Sequence, residues 1–168
     1  DWLMVMHKYY IGIDPGLSGA VALLDSSGKA LEVHDMPVMA KGKGSGFIKN
    51  CVNPRELNDL LLTFMYPDSS YVCALETVNA MPGQGVASVF SLGDTYGSIR
   101  SVIACLHIPL VCVAPVTWKK YFKIPKDKEV ARALAINTFP EMADRLVRKK
   151  DIDRAESLLI ARYNWEIS

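Results

Sequence analysis

Nothing in this 168-residue chain approaches the roughly 20 consecutive apolar residues that a membrane helix needs. Histidine is scarce. His7, His34 and His107 stand far apart, which leaves a zinc enzyme nothing to build on. The four cysteines (Cys51, Cys73, Cys105, Cys112) show no CxxC spacing, which excludes a zinc ribbon and a disulfide framework. Three of them sit in apolar runs and read as buried thiols of a reducing compartment. The opening residues, Asp1 to Met6, lack the basic region and small-residue cleavage site of a secretory signal. No internal repeat occurs. What is present is half apolar, 9% aromatic and 22% charged. That is the composition of one globular domain able to bury its own core.

Net charge is only +1, but it is unevenly spread. Residues 115–150 hold ten Lys/Arg against four Asp/Glu, whereas residues 1–112 hold seven against ten and residues 151–168 two against four. An acidic body beside a basic segment suits a polyanion held against a carboxylate site; a solvated helix face accounts for the charges equally well.

Residues 8–14 (KYYIGID) read as a buried strand ended by Pro15-Gly16. Residues 19–24 and 30–36 supply two more strands across short turns, an antiparallel meander. Residues 37–52, with KGKGSG, lack periodicity and are expected to be a mobile loop. Asn53-Pro54-Arg55-Glu56 is a helix start: N-cap, proline at the first position, Glu three after the cap. That helix is expected to run to about Tyr66. Strands follow at 71–76 and 110–114, joined by a crossover helix within 86–106 whose Ser88, Gly93, Gly97 and Ser101 recur every four or five residues. Tight helix packing explains such spacing. Further helices are expected over 128–139 and 153–164, so the order is βββ-α-β-α-β-α-α. Residues 1–7 read as an extension and 8–166 as one domain.

The chemistry concentrates where apolar strands stop. Asp14 closes IGID and Glu76 closes CALE. Acids are poor strand formers and costly to bury unpaired, so two of them at the ends of core strands ask for a cation. In DIDRAESLLIA, Asp153 and Glu156 are three apart and share a helix face. Together Asp14, Glu76, Asp153 and Glu156 would form an all-oxygen site, suited to Mg²⁺ or Mn²⁺. Two such ions about 3.5–4 Å apart can clamp a phosphodiester during hydrolysis. Taken singly, Asp14 can equally cap the Pro-Gly turn, and Glu156 can be a solvated residue beside Arg154.

IGIDPGLSGAVALL, ALETV and DRAESLLIA, in this order, resemble the RuvC-type Holliday junction resolvases of the RNase H-like superfamily. The segment MPGQGVASVFSLGDTYGSI, with TWKK and a following KDK, is similar to the phage and organellar branch. The resemblance implies an α/β fold: a mixed five-stranded sheet, three antiparallel strands then two parallel, flanked by helices. It implies a homodimer that resolves four-way DNA junctions by symmetric metal-dependent hydrolysis, with Mg²⁺ (Mn²⁺ substituting), two ions per site and no nucleotide cofactor. Asp14, Glu76 and Glu156 match the family's metal-binding acids and Asp153 its fourth ligand, with Asp151 as the rival for that place. The compartment implied is the cytoplasm of a bacterial or phage-infected cell, or an organelle interior.

Bacterial members carry an aromatic wedge about three residues after the strand Glu. This chain has Asn79 there, followed by Met81 and Gln84, an apolar wedge and a hydrogen-bonding group respectively. An ordinary flexible loop is the plain alternative. Lys119, Lys120, Lys123, Lys126 and Lys128 are the expected backbone-gripping residues, with Lys126 or Lys128 also set to stabilise developing negative charge. Lys41, Lys43 and Lys49 in the loop, and Arg145, Arg148, Lys149 and Lys150 before the last acidic motif, are further candidates for phosphate contact. Trp118 reads as a packing anchor rather than a stacking platform. Two other functions were weighed. An actin-like ATP-dependent kinase needs the fold twice and has room here for one copy. A junction-binding module without turnover fits less well because every expected acid is present.

Overall fold

The computed structural model describes residues 6–42 and 50–168. Lys43 and Lys49 lie outside them. Strand β1 (His7–Asp14) forms the centre of a five-stranded sheet with β2 (Ala20–Leu24), β3 (Ala30–Asp35), β6 (Ser69–Glu76) and β7 (Leu110–Val113), in the order β3-β2-β1-β6-β7. β1–β2 and β2–β3 are antiparallel, β1–β6 and β6–β7 parallel. This is the mixed sheet expected from the sequence. β1 and β6 end at the same edge, since Ile13 pairs with Leu75 in the ladder, and that sets Asp14 and Glu76 side by side one residue further on.

Side chains alternate along each strand, so the sheet builds a core on both faces. On one face Ile11, Ile13, Leu23 and Leu75 meet Leu57, Leu61 and Phe64 of helix α1 (Pro54–Thr63) and Ile99 and Ile103 of helix α2 (Val86–Cys105). On the other, Tyr10, Ala22, Leu24 and Ala74 meet Trp118 of α3 (Pro115–Tyr121), Ala131 and Ala135 of α4 (Lys128–Thr138), and Leu158 to Ala161 of α5 (Ile152–Ile167). Two short 3₁₀ segments, Pro140–Arg145 and Lys149–Asp151, lead into α5.

Several boundaries differ from the sequence expectation. Within 37–52, Val38–Ala40 (β4) pairs antiparallel with Asn50–Val52 (β5), and Cys51 and Val52 are buried, so both ends of the expected loop are strand. Three-residue strands are too short to display an alternation. Helix α1 stops at Thr63, three residues early: Pro67 disfavours helical backbone at Tyr66, and the Tyr71 hydroxyl accepts from the Tyr66 N–H at 2.6 Å and donates to the Phe64 carbonyl at 2.8 Å. Helix α3 went unread because seven residues carry fewer than two turns of pattern. Of the cysteines, Cys51 and Cys73 are buried, while Cys105 and Cys112 are exposed, the latter because β7 is an edge strand. Two of the small residues of α2 meet no close neighbour among the described residues: a Cβ placed on Gly93 or Gly97 would meet nothing within 4 Å.

Candidate metal centre

Asp14 is delivered by a strand whose preceding residues, Ile11 to Ile13, are buried in the middle of the sheet. The chain must then turn tightly, and Gly19 makes this possible: any Cβ there would collide with the Asp14 carbonyl. Asp153 and Glu156 arrive on the first turns of α5, which runs across β1 and β2. That helix reaches the sheet because residue 12 has no side chain; a Cβ on Gly12 would overlap the backbone of Ser157 and Ala161.

The outcome is a convergence of carboxylates. Asp14, Asp153 and Glu156 each present an oxygen within 4.8 Å of the others, with Asp14 and Glu156 only 7% exposed. Glu76 stands beside this trio, its Oε2 accepting the Trp118 indole N–H at 2.6 Å. Trp118 is fully buried, as expected of an anchor, yet it also orients an acid, a role the sequence did not suggest. Asp151 is also buried, but its two oxygens are taken by the Arg148 guanidinium (2.8 Å from Nη2 to Oδ1) and the Arg148 N–H (2.8 Å to Oδ2), and it is not among the converging three.

The electrostatics of the cluster are those of crowded anions. Burial, then the neighbouring Glu156, Glu76 and Asp153 charges, push the Asp14 carboxyl from 3.8 up to about 9. Burial also raises Asp153, and raises Glu76 against the opposing pull of its Trp118 hydrogen bond. Neither Asp14 nor Asp153 has an ion-pair partner among the described residues. A divalent ion fits this donor set: hard oxygens alone, buried, and short of positive charge.

The basic residues divide into those near the cluster and those that serve elsewhere. Lys119 places Nζ 3.1 Å from Glu156 Oε1 and lies over the Trp118 ring. Lys128 acts on Asp153 through its charge. Lys120, Lys123 and Lys126 are exposed. Lys41 pairs with Asp94 of α2 at 3.4 Å. Arg145 donates to the Val33 carbonyl at 3.0 Å, so it braces the edge strand β3, and Arg148 is committed to Asp151, leaving Lys149 and Lys150 free to solvent. In the 77–85 loop Met81 is 64% exposed, while the Gln84 side-chain carbonyl accepts the Met81 N–H at 2.7 Å and so closes its own turn.

No family model matches the chain, and no curated protein matches it. Solved structures do. Thermus thermophilus RuvC superposes with a TM-score of 0.55 at 16% identity, over 96% of this chain and 95% of that one. The same protein in complex with a Holliday junction substrate gives 0.57 at 14%, over 96% and 94%. The fowlpox virus Holliday junction resolvase gives 0.51 at 12%, over 97% and 100%. The fold is RuvC-like. At such identities the likeness extends to the fold alone.

Proposed function

We propose that this chain is a divalent-metal-dependent endonuclease that cleaves four-way DNA junctions, acting as a homodimer. The observation that carries the reading is the meeting of Asp14, Asp153 and Glu156 within 4.8 Å, beside Glu76, at the carboxyl edge of two parallel strands in a RuvC-like fold. Asp14, Glu76, Asp153 and Glu156 would hold the ions, and Asp151 is assigned instead to Arg148. Bound there, Mg²⁺ or Mn²⁺ would supply a Lewis acid for the phosphodiester and lower the pKa of an attacking water.

The protein's own groups do the rest. Trp118 holds the Glu76 carboxylate in one orientation through its indole N–H. Lys119, already 3.1 Å from Glu156, is placed to face a phosphate oxygen that approaches the acids and to offset charge developing on it. Lys120, Lys123, Lys126 and Lys128, all exposed and following that lysine in the chain, are suited to backbone phosphates. Met81, exposed beyond the closed turn of Gln84, is the apolar side chain available to unstack a base. The second copy belongs on α2, where Val86 and Phe90 are 87% and 66% exposed and Gly93 and Gly97 leave room for a close helix approach.

The test is cleavage of an immobile four-way junction and of a matched linear duplex, with Mg²⁺ and with EDTA. Paired nicks in the junction alone, abolished by EDTA and by Asp14→Asn, are the expected result. Equal cutting of the duplex would keep the metal site and discard junction selectivity. Tight junction binding with no cutting in Mn²⁺ would replace the enzyme with a binding module.

A further inference from the structure

We propose that Arg154 is the positioning residue of this centre: it locks the first turn of α5 so that Asp153 and Glu156 are held in register with Asp14. The inference rests on the metal-site reading above and deepens it.

The first turn of α5 carries two of the converging acids and has no side-chain cap of its own. Asp151 occupies its N-cap position and makes no capping bond to it, because its carboxylate is turned back onto the Arg148 N–H and guanidinium of the preceding 3₁₀ segment. The cap lies one turn earlier, in the 3₁₀ segment that runs directly into the helix, and this leaves the orientation of the first α5 turn to other contacts. Here Arg154 ties it down from within. Its side chain is only 14% exposed, and its guanidinium makes a bidentate pair with Asp35 at the end of β3, 2.7 Å from Nε to Oδ1 and 2.9 Å from Nη2 to Oδ2. Nη1 donates to the Arg145 carbonyl at 3.1 Å and lies 3.8 Å from Asp151 Oδ1. One side chain therefore joins the sheet edge, both 3₁₀ segments and the helix.

The segment it grips is itself fastened to the same edge strand, through Glu141 accepting the Ala30 N–H at 2.9 Å and Arg145 donating to the Val33 carbonyl at 3.0 Å. Asp153 and Arg154 are consecutive, so they leave the helix in different directions: Arg154 to Asp35, Asp153 to Asp14. A planar fork held at both ends on a rigid strand fixes the rotation of that turn about the helix axis, which a single-point lysine contact would not. The Arg154 charge also lies between Asp35 and Asp151, two carboxylates that would otherwise add to the crowded anions. Groups that orient a metal's ligands without touching the metal typically contribute 10–100-fold in affinity.

The experiment measures Mn²⁺ binding by electron paramagnetic resonance on the intact protein without DNA, alongside junction binding in EDTA and the urea midpoint in EDTA. Arg154→Gln is expected to weaken Mn²⁺ binding about 10–100-fold while junction binding in EDTA stays at the wild-type level. Arg154→Lys should recover only part of that loss. Were the role merely structural, Arg154→Gln would lower the urea midpoint and leave the Mn²⁺ affinity of the folded protein within two-fold of wild type, which overturns the proposal. Should Arg154→Gln not fold, Asp35→Asn decides, since Asp35 is exposed: weaker Mn²⁺ binding supports the proposal and unchanged binding overturns it. Asp153→Asn separates the two levels of argument, for if it binds Mn²⁺ like wild type the metal reading itself fails and this inference with it.

Discussion

The two long helices of this fold use glycine in opposite ways. Helix α5, 16 residues, buries half its length, including Glu156, Ser157 and Asn164, because the glycine lies beneath it in β1 and lets its backbone come down onto the sheet. Helix α2, 20 residues, buries only Thr95, Ile99, Val102 and Ile103. Its glycines are on the helix itself, with no close neighbour among the described residues, and Val86 and Phe90 in its first turns are largely exposed. The difference teaches that a small residue marks a close approach without saying whether the approaching partner belongs to the same chain. For α5 the partner is β1, and the approach assembles the acids. For α2 no such partner is found among the described residues.

Substitutions that fill these glycines should separate the two helices. The largest effect is expected from Gly12→Ala, whose Cβ would overlap the Ser157 and Ala161 backbone. Backbone cannot rotate away as a side chain does, so a loss of about 3 kcal/mol or more is expected in urea unfolding. Mn²⁺ affinity should fall with it as α5 lifts from Asp14. Wild-type stability in Gly12→Ala would break the comparison at its root.

An intermediate effect concerns the charge that the α5 approach creates. Asp14 binds its proton more tightly folded than unfolded, from 3.8 to about 9. By linkage, the stability present below about pH 4 is lost progressively as pH rises toward 9 in the metal-free protein. Asp14→Asn should therefore melt a few °C above wild type at pH 8 in EDTA, at roughly 2–4 °C per kcal/mol, and level with it near pH 4. With Mn²⁺ the order should invert, because only the wild type gains a bound ion. A flat wild-type melting profile between pH 4 and 9 in EDTA would contradict the crowded-anion description.

The smallest effect is expected from Gly97→Ala. In the single chain it should be neutral or stabilising by about 0.5–1 kcal/mol, as in an open helix position. Sedimentation should nonetheless show a shift toward monomer, together with Phe90→Ser, if α2 is the face that a second copy covers. Unchanged association in both variants would move the interface elsewhere.

Much of the site was legible in the chain because its signals are local. Asp14 and Glu76 are conspicuous as acids ending apolar strands, and Asp153 and Glu156 as a helical pair, each visible in a short window. The antiparallel meander of the first three strands followed from short turns. Less legible were the partners of these groups. Trp118 was seen as an anchor but not as the donor to Glu76, 42 residues away, and the pairing of Arg154 with Asp35 spans 119 residues. Asp151 and Asp153 could not be told apart by spacing; in the structure Asp151 is engaged by Arg148 and Arg154, while Asp153 lies within 4.8 Å of Asp14 and Glu156. Arg145, expected among the candidates for phosphate contact, donates to the Val33 carbonyl of β3, 112 residues away.

What the sequence by itself determined is the five strands of the main sheet, the longer helices and the candidate acids, because periodicity, turn residues and the cost of burying a charge all act within a few residues. Only the tertiary structure decided which of those acids share a centre, which basic residues neutralise their neighbours, and which apolar helix stays uncovered. Those outcomes depend on distances between segments that are far apart in the chain, and on whether a glycine has a neighbour to admit.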